Sequence, residues 1–587
     1  MASIIEAKEN PVCKVKIEGK EITDLALRKV NTIKAINKVP IAKVVFADIY
    51  SAEKDGMLSS SMKSLQPGSK VEIELGYEET LKPVFKGIIT GVDHSINKLK
   101  TEISVICRDE SIKLTISPKN KTFSESKDSD ALSKIIKDNG LKGKVESTSV
   151  KHQELIQHYS SDWTFLLQRA RANNMYAFVS DGEVNVKPLE LTGSAKCTLT
   201  YIDSLIRINT KQNAIHQVDK MSAFAWDASG QAILEGKSSG TKENSIGDMD
   251  SKKLAGVLKL KEFNLQSASI MDQSELDKWA TSIHQQAIAS KIRGTVECFG
   301  TSDLLPGDIF EIKGISAKID GKALAGSVEH SLSSGKWTTT IEIGVTPPKE
   351  EALTAPGSGL LPTISGLTSG VVKELANDPT GLFKVRVAIP TLQEDNIGVW
   401  ARLATFYAHK EAGSFFIPEV NDEVIVGFLN QDPRNPVILG SVHNPKTAPP
   451  FPLTEDNFQK AIVTKTKLTL QFDEENNAII INTPEKNMVM LNDTEKTISL
   501  TDQNKNKIVM SKDGIAIESC KDLNIKVKGA TTLNSTGKIN IKSSADLIAE
   551  GMNVQAKGST KFAAEGAMCE VKGSAQTVIK GGMVMIN

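Results

Sequence analysis

The chain has no surplus of either charge, since 71 Lys and Arg residues face 71 Asp and Glu over 587 residues. That balance removes long-range attraction as a basis for binding nucleic acid or an anionic membrane, so partners are to be recognised by shape. Cysteine is scarce. Cys13, Cys107, Cys197, Cys298, Cys520 and Cys569 form no CxxC pair and have no local His companion, which argues for reduced, mostly buried thiols and assembly in the cytosol. No run of 18 apolar residues occurs, and the opening MASIIEAKENPVCKVKIEGK holds no apolar core of signal-peptide length. The expectation is a chain without a signal peptide; if it leaves the cell, something else carries it. Histidine stops at His443, and His152 and His158 are six apart, too loose for a helix-face pair, so no metal and no cofactor is expected. Proline stops at Pro484, and the 103 residues after it suit uninterrupted strand pairing, because each proline would delete a ladder donor.

What is present is most distinctive in the last 67 residues, 521–587. Small or turn-forming residues recur about every eight positions at Gly529, Gly537, Ala545, Gly551, Gly558, Gly566, Gly573 and Gly581. Apolar residues keep a similar beat at Ile525, Leu533, Ile541, Leu547, Val554, Phe562, Val571, Val578 and Met585. Eight residues suit a strand of five or six plus a glycine turn with φ > 0, and not a helical repeat. Only 19 of the 67 residues are Val, Ile, Leu, Met or Phe, too few for one chain to enclose its own interior. The reading is a β-prism wound from three copies, with those nine apolar residues as the trimer core and no long sheet edge left open.

Upstream, residues 12–348 mix α and β signals. VEIEL, PVFKGIITGV and TEISVIC alternate as strands of barrel-like subdomains. DSDALSKIIKDNG predicts a helix burying Leu132, Ile135 and Ile136, with Ser129 as cap and Gly140 as stop. SSDWTFLLQRARANN predicts a second, stacking Trp163, Leu166, Leu167 and Ala170, followed by a hairpin turning at Asp181-Gly182. A third runs from Ser274 through Leu276, Trp279, Ile283 and Ala287, with Asp277 completing a capping box. A Pro- and Gly-rich linker follows. Five strand-like runs between 367 and 444 then suit a small barrel of the OB type, whose Trp400, Phe406, Tyr407, Phe415 and Phe416 are assigned to packing and trimer contacts because basic residues are few there. Residues 461–519 read as a looser version of the tail, with strands divided by polar turns such as DEENN, TPEKN, DTEK and DQNKN.

The segment GVWARLATFYAHKEAGSFFIPEVNDEVIVGFLNQDPRNPVILGSVHNPKTAPP resembles the barrel of the VgrG spike proteins of type VI secretion systems and related phage-tail-like contractile injection systems. The resemblance rests on Trp400, Arg402, Gly413, Phe416, Pro418, Glu423, Val424, Val426, Phe428, Asp432, Pro433, Pro436, Ile438, Gly440 and Ser441. SSDWTFLLQRARANNMYAFV is similar to the phage-hub-like N-terminal region, and the glycine octads to the needle. The resemblance implies a mainly β, multidomain fold. A phage-hub-like α+β region of barrels would occupy 1–350, a linker 351–366, an OB-fold barrel 367–446, a second linker 447–460, and a trimeric triple-stranded β-helix needle 461–587. It implies a homotrimer seated on a hexameric Hcp-like ring of the tail tube, with baseplate proteins and effector cargo as further partners. A PAAR-type cap would sit on Met583, Val584, Met585, Ile586 and Asn587. Assembly would take place in the cytoplasm and delivery outside the cell, with transient contact with a target membrane and no nucleic acid.

Other classes stay open. A phage baseplate hub or tail spike is the alternative of the same shape. A cell-wall glycan hydrolase would need a carboxylate pair, yet the acidic residues are spread, and the roughly fifteen residues between barrel and needle leave no room for the lysozyme domain of related phage spikes. No effector domain is expected after Asn587. An adhesive fibre would need aromatic platforms, but Phe562 is the only aromatic after Phe472. The expectation is a chain with no catalytic residue.

Overall fold

The structure is a computed structural model that describes residues 3–5, 10–53, 55–77, 81–97, 100–392 and 398–586. It divides into two units, Met1–Pro449 and Pro450–Asn587, each taken by itself below.

In the first unit, alternating strands pair into one large, mostly antiparallel sheet. The alternation in KVEIELGY buries Val71, Ile73 and Leu75 and turns the charged residues between them outward. Strands Lys70–Tyr77, Lys82–Ile96 and Thr101–Arg108 are consecutive neighbours, as their patterning predicts. The long strand Gly321–Ser333 pairs with Ala26–Ala35 on one side and Lys336–Ile343 on the other. It thereby joins a core around Ile73, Phe85 and Ile103 to one around Cys298, Phe310 and Ile341.

Among the described residues the unit also holds four helices of eight residues or more, α1 (Asp128–Asp138), α2 (Asp162–Ala172), α3 (Ser251–Leu258) and α4 (Gln273–Ala289), of which α1, α2 and α4 pack on smaller separate sheets. Two caps differ from the sequence expectation. Helix α1 begins at Asp128 after Lys127, and Ser129 lies inside its first turn, where its N–H meets the Thr148 hydroxyl. The capping box of α4 is Asp272 with Glu275, because the chain enters two residues earlier; Asp277 accepts from the Lys237 N–H instead. The buried face of α2 is also turned from the expected one. Phe165, Leu166, Arg169 and Ala170 point inward, while Trp163 and Leu167 are only partly covered. The hairpin at Asp181-Gly182 forms as expected, with φ of 58° and 83°.

Strands Thr368–Glu374, Val385–Ala388, Val399–Leu403, Pro436–Ser441 and Glu423–Phe428 close into a five-stranded barrel in that spatial order. Val372, Val387, Val424, Val426 and Ile438 fill it completely, so the alternating valines of the family motif are its interior.

The second unit opens with seven five-residue strands, Gln459–Val463, Thr469–Asp473, Ala478–Asn482, Met488–Asn492, Thr497–Thr501, Lys507–Ser511 and Gly514–Glu518, paired as one antiparallel meander within the chain. Strand starts at 459, 478 and 497, and at 469, 488 and 507, recur every 19 residues, a hairpin repeat. Beyond Glu518 the described residues form no strand. Bends at 528–529, 536–537, 544–545, 552–553, 559–560, 567–568, 574–575 and 582–583 keep the seven-to-eight-residue beat. The glycines serve it differently from expectation, since none of the eight in this stretch takes a left-handed φ. Several allow a close approach instead. A Cβ on Gly558 would stand 2.3 Å from the Lys561 carbonyl oxygen, and one on Gly573 would stand 2.5 Å from that of Gln576. At these two corners the chain folds back on itself too tightly for a side chain.

A candidate assembly surface in the C-terminal unit

Polar chemistry concentrates in one place in the first unit, and there the groups saturate one another. Arg169 on α2 donates from Nε to Asp128 Oδ1 at 2.6 Å and from Nη2 to Oδ2 at 3.0 Å. His152 Nε2 and Asn173 Nδ2 reach the same Oδ2 at 3.0 and 2.8 Å. Arg434, from the barrel, donates to Glu275 Oε1 at 2.6 Å and to Asp432 at 3.0 and 3.2 Å. His152 Nδ1 stands 3.7 Å from Glu275. Burial alone would raise the Asp128 carboxyl, but Arg169 and His152 hold it far below the usual carboxylate range. Glu275 is lowered in the same way by Arg434, His152 and Arg169 against its own burial. All members are buried or nearly so, and each has its partners. This network ties α1, α2 and α4 to the barrel; it offers no free acid, base or nucleophile to a substrate. His158, the other histidine weighed in the sequence, bonds through Nδ1 to the Thr363 carbonyl.

The apolar surface of the second unit is organised differently. Registers Phe472↔Ile479, Ile479↔Leu491, Leu491↔Ile498, Ile498↔Met510 and Met510↔Ile515 make one column. Registers Leu470↔Ile481, Ile481↔Val489, Val489↔Leu500, Leu500↔Ile508 and Ile508↔Ile517 make a second. Because alternate residues share a face, both columns lie on the same side of the meander. They are half-buried to exposed. Ile481, Val489, Leu500, Ile508, Ile517 and Leu523 line a groove of about 480 Å³. A continuous uncovered apolar face of this size marks an interface. Sequence reasoning began the shared core only at Ile525 and missed these columns, although the I-x-I and L-x-F spacing within each five-residue strand carries them.

Ile525, Leu533, Ile541, Leu547, Val554, Phe562, Val571, Val578 and Met585 are all uncovered, between 57% and 78% exposed. Met583, Val584, Met585 and Ile586 are exposed as well, and Asn587 lies outside the described residues. Among the described residues no backbone N–H in 523–586 finds a backbone carbonyl. An extended chain in that state has neither core nor ladder to offset its ordering entropy.

In the barrel, Val424 and Val426 are buried, and Trp400 is nearly covered beneath the Arg386 guanidinium, 5.6 Å from its ring centroid. Phe416 is exposed, as are Phe406, Tyr407 and Phe415 around the short hairpin Ala408–His409/Ala412–Gly413. Asp432 caps the turn through Pro433 by accepting from the Arg434 N–H at 2.9 Å. Glu423 accepts from the Asn444 side chain at 2.8 Å. Pro418 lies in the loop before Glu423, and Gly440 lies in the last barrel strand.

Residues 7–334, more than half of the chain, match the family model described as the Alg8 N-terminal domain. Residues 368–443 match the type VI secretion system/phage-baseplate injector OB domain, and 478–540 match the phage baseplate V C-terminal trimerisation domain. The chain belongs to the Alg8 N-terminal domain family, and its barrel and C-terminal stretch resemble those of VgrG-type spikes. The chain is 31% identical over 113 residues to type VI secretion system spike protein VgrG1b of Pseudomonas aeruginosa. That match spans 18% of this chain and only 15% of the relative's length. A chain of the half-lidded Francisella PdpA-VgrG complex shares the fold at 12% identity and a TM-score of 0.51, covering 88% of this chain and 89% of that one. The lidless PdpA-VgrG complex gives the same identity and score, with 88% and 99% covered. The trimerisation-domain match begins at Ala478 and takes in the later strands of the apolar columns together with the first glycine octads.

Proposed function

We propose that three copies of this chain form the spike at the tip of a contractile injection machine, joining the tail tube to a tip cap and puncturing a target envelope so that effectors are delivered. The observation that carries the reading is the C-terminal unit. Its meander turns a whole apolar face to solvent, and the stretch after it has no backbone partner of its own. Three such faces turned toward one axis bury each other, and three extended tails wound together supply one another's ladder bonds. Continuous hydrogen bonding between copies makes a needle stiff enough to transmit force from sheath contraction without buckling. Ile525, Leu533, Ile541, Leu547, Val554, Phe562, Val571, Val578 and Met585 form its axis. The apolar end at 583–586 takes a PAAR-type cap, the first unit sits on an Hcp-like hexameric ring among baseplate proteins, and the spike works mechanically, with no catalytic residue of its own. It is assembled in the cytoplasm and delivered outside on contraction. The phage-baseplate names of two matching families keep a phage hub as the second reading. Hydrogen exchange on the full chain tests the needle. The expected result is strong amide protection throughout 523–586; fast exchange there overturns the proposal.

A further inference from the structure

The 19-residue hairpin repeat sorts its turns onto two opposite edges of the meander, and the edges differ in charge. On one edge lie the turns 464–468, 483–487 and 502–506, which carry Lys465, Lys467, Lys486 and Lys505 against Glu485 and Asp502. On the other lie 474–477, 493–496 and 512–513, which carry Glu474, Glu475, Asp493, Glu495 and Asp513 against Lys496 and Lys512.

The lysine edge is regular in backbone as well as in charge. Lys467, Lys486 and Lys505 occupy the same position of three successive turns, all left-handed, with φ of 67°, 66° and 71°. Left-handed backbone costs a side-chain-bearing residue about 1 kcal/mol, and Gly or Asn adopts it more readily. The equivalent sites on the opposite edge are Asn477, Lys496 and Gly514. Two strands per repeat place the three lysines about 9.5 Å apart along the edge. Inside the sheet, Lys460 pairs with Glu474, and Lys507 pairs with Glu518 at 3.1 Å. Among the described residues, Lys467, Lys486, Lys505, Glu475, Asp493 and Glu495 make no ion pair.

A three-fold axis never brings like edges together. When three sheets turn the same face inward, each corner joins one edge of a copy to the opposite edge of the next. Resting on the trimer reading above, we infer that each corner of the meander prism is an electrostatic seam, in which the Lys467, Lys486 and Lys505 edge of one copy docks against the Glu475, Asp493 and Glu495 edge of its neighbour. The apolar face supplies the area, and the seam fixes rotational sense and register. It does so because a copy inverted along the axis sets like edges against each other, and a copy shifted by one strand puts each lysine turn out of step with its acidic partner.

The test uses the full chain and four proteins: wild type, Lys467→Glu/Lys486→Glu/Lys505→Glu, Glu475→Lys/Asp493→Lys/Glu495→Lys, and the sixfold combination. Trimer dissociation is followed by native mass against concentration at 50 and 500 mM NaCl, values chosen on the order of one strongly and one weakly screening salt. Each triple reversal should raise the dissociation constant by about tenfold or more at low salt, less at high salt, and the combination should restore it. A wild-type trimer whose reversals have no effect, or whose combination is as weak as either parent, overturns the seam and leaves the trimer standing. A wild type that is not trimeric overturns the parent reading instead. A lysine-edge reversal that abolishes binding to vesicles of anionic phospholipid while leaving dissociation unchanged reassigns that edge to a membrane surface, and also overturns the seam.

Discussion

At the scale of single residues, the first unit depends on charges it has buried in pairs. Asp128→Ala leaves Arg169, which is 2% exposed, without its carboxylate. The expected cost is about 3–5 kcal/mol, read as a fall in the thermal midpoint. The pH dependence follows from the lowered Asp128 and Glu275 carboxyls. Above about pH 6 they are ionised in folded and unfolded chain alike, and their pairs contribute fully. Below it the unfolded chain takes up protons that the folded chain refuses, so stability is lost as pH falls. Asp128→Asn with Glu275→Gln should flatten that acid limb. Glu154 has the opposite sign. Burial raises it to about 7 against Arg386, Lys384 and the Trp400 N–H, so its contribution declines as pH rises from the ordinary glutamate value toward 7. Glu154→Gln should remove that decline in melts taken across the range. The needle glycines give a paired prediction. Gly558→Ala drives a methyl into the Lys561 carbonyl and should lower needle melting, whereas nothing lies within 4 Å of a Cβ on Gly529, so Gly529→Ala should be silent.

At the scale of elements, legibility followed periodicity. The barrel strands were readable because their valines alternate, and the hairpin at Asp181-Gly182 because its two residues demand left-handed backbone. Cap assignments at α1 and α4 failed because several acidic and hydroxyl residues stand near each helix start, and tertiary contacts to Thr148 and Lys237 decide which one is free to cap. The charged network was invisible, since Asp128, His152, Arg169, Glu275 and Arg434 are far apart in sequence and ordinary in type. Octad spacing located the bends between 528 and 583, but a left-handed glycine turn and a close-approach glycine leave the same mark in sequence. The meander face predicts its own test. Leu500 is exposed in the single chain, so Leu500→Asp should leave the first unit folded and yet shift the native mass from trimer toward monomer.

At the scale of the molecule, the hydrophobic clusters among the described residues lie in the first unit, and the second keeps apolar columns that no described residue of that unit covers. On the trimer proposed above, the second unit is stable only as an assembly, and its concentration dependence is part of its stability. The measurement that bears most directly on this is the native mass of the full chain by light scattering. A shared interior predicts three times the 63.5 kDa chain mass, about 190 kDa, persisting on dilution. A well-folded species at the mass of one chain, with residues 459–586 ordered, would contradict it.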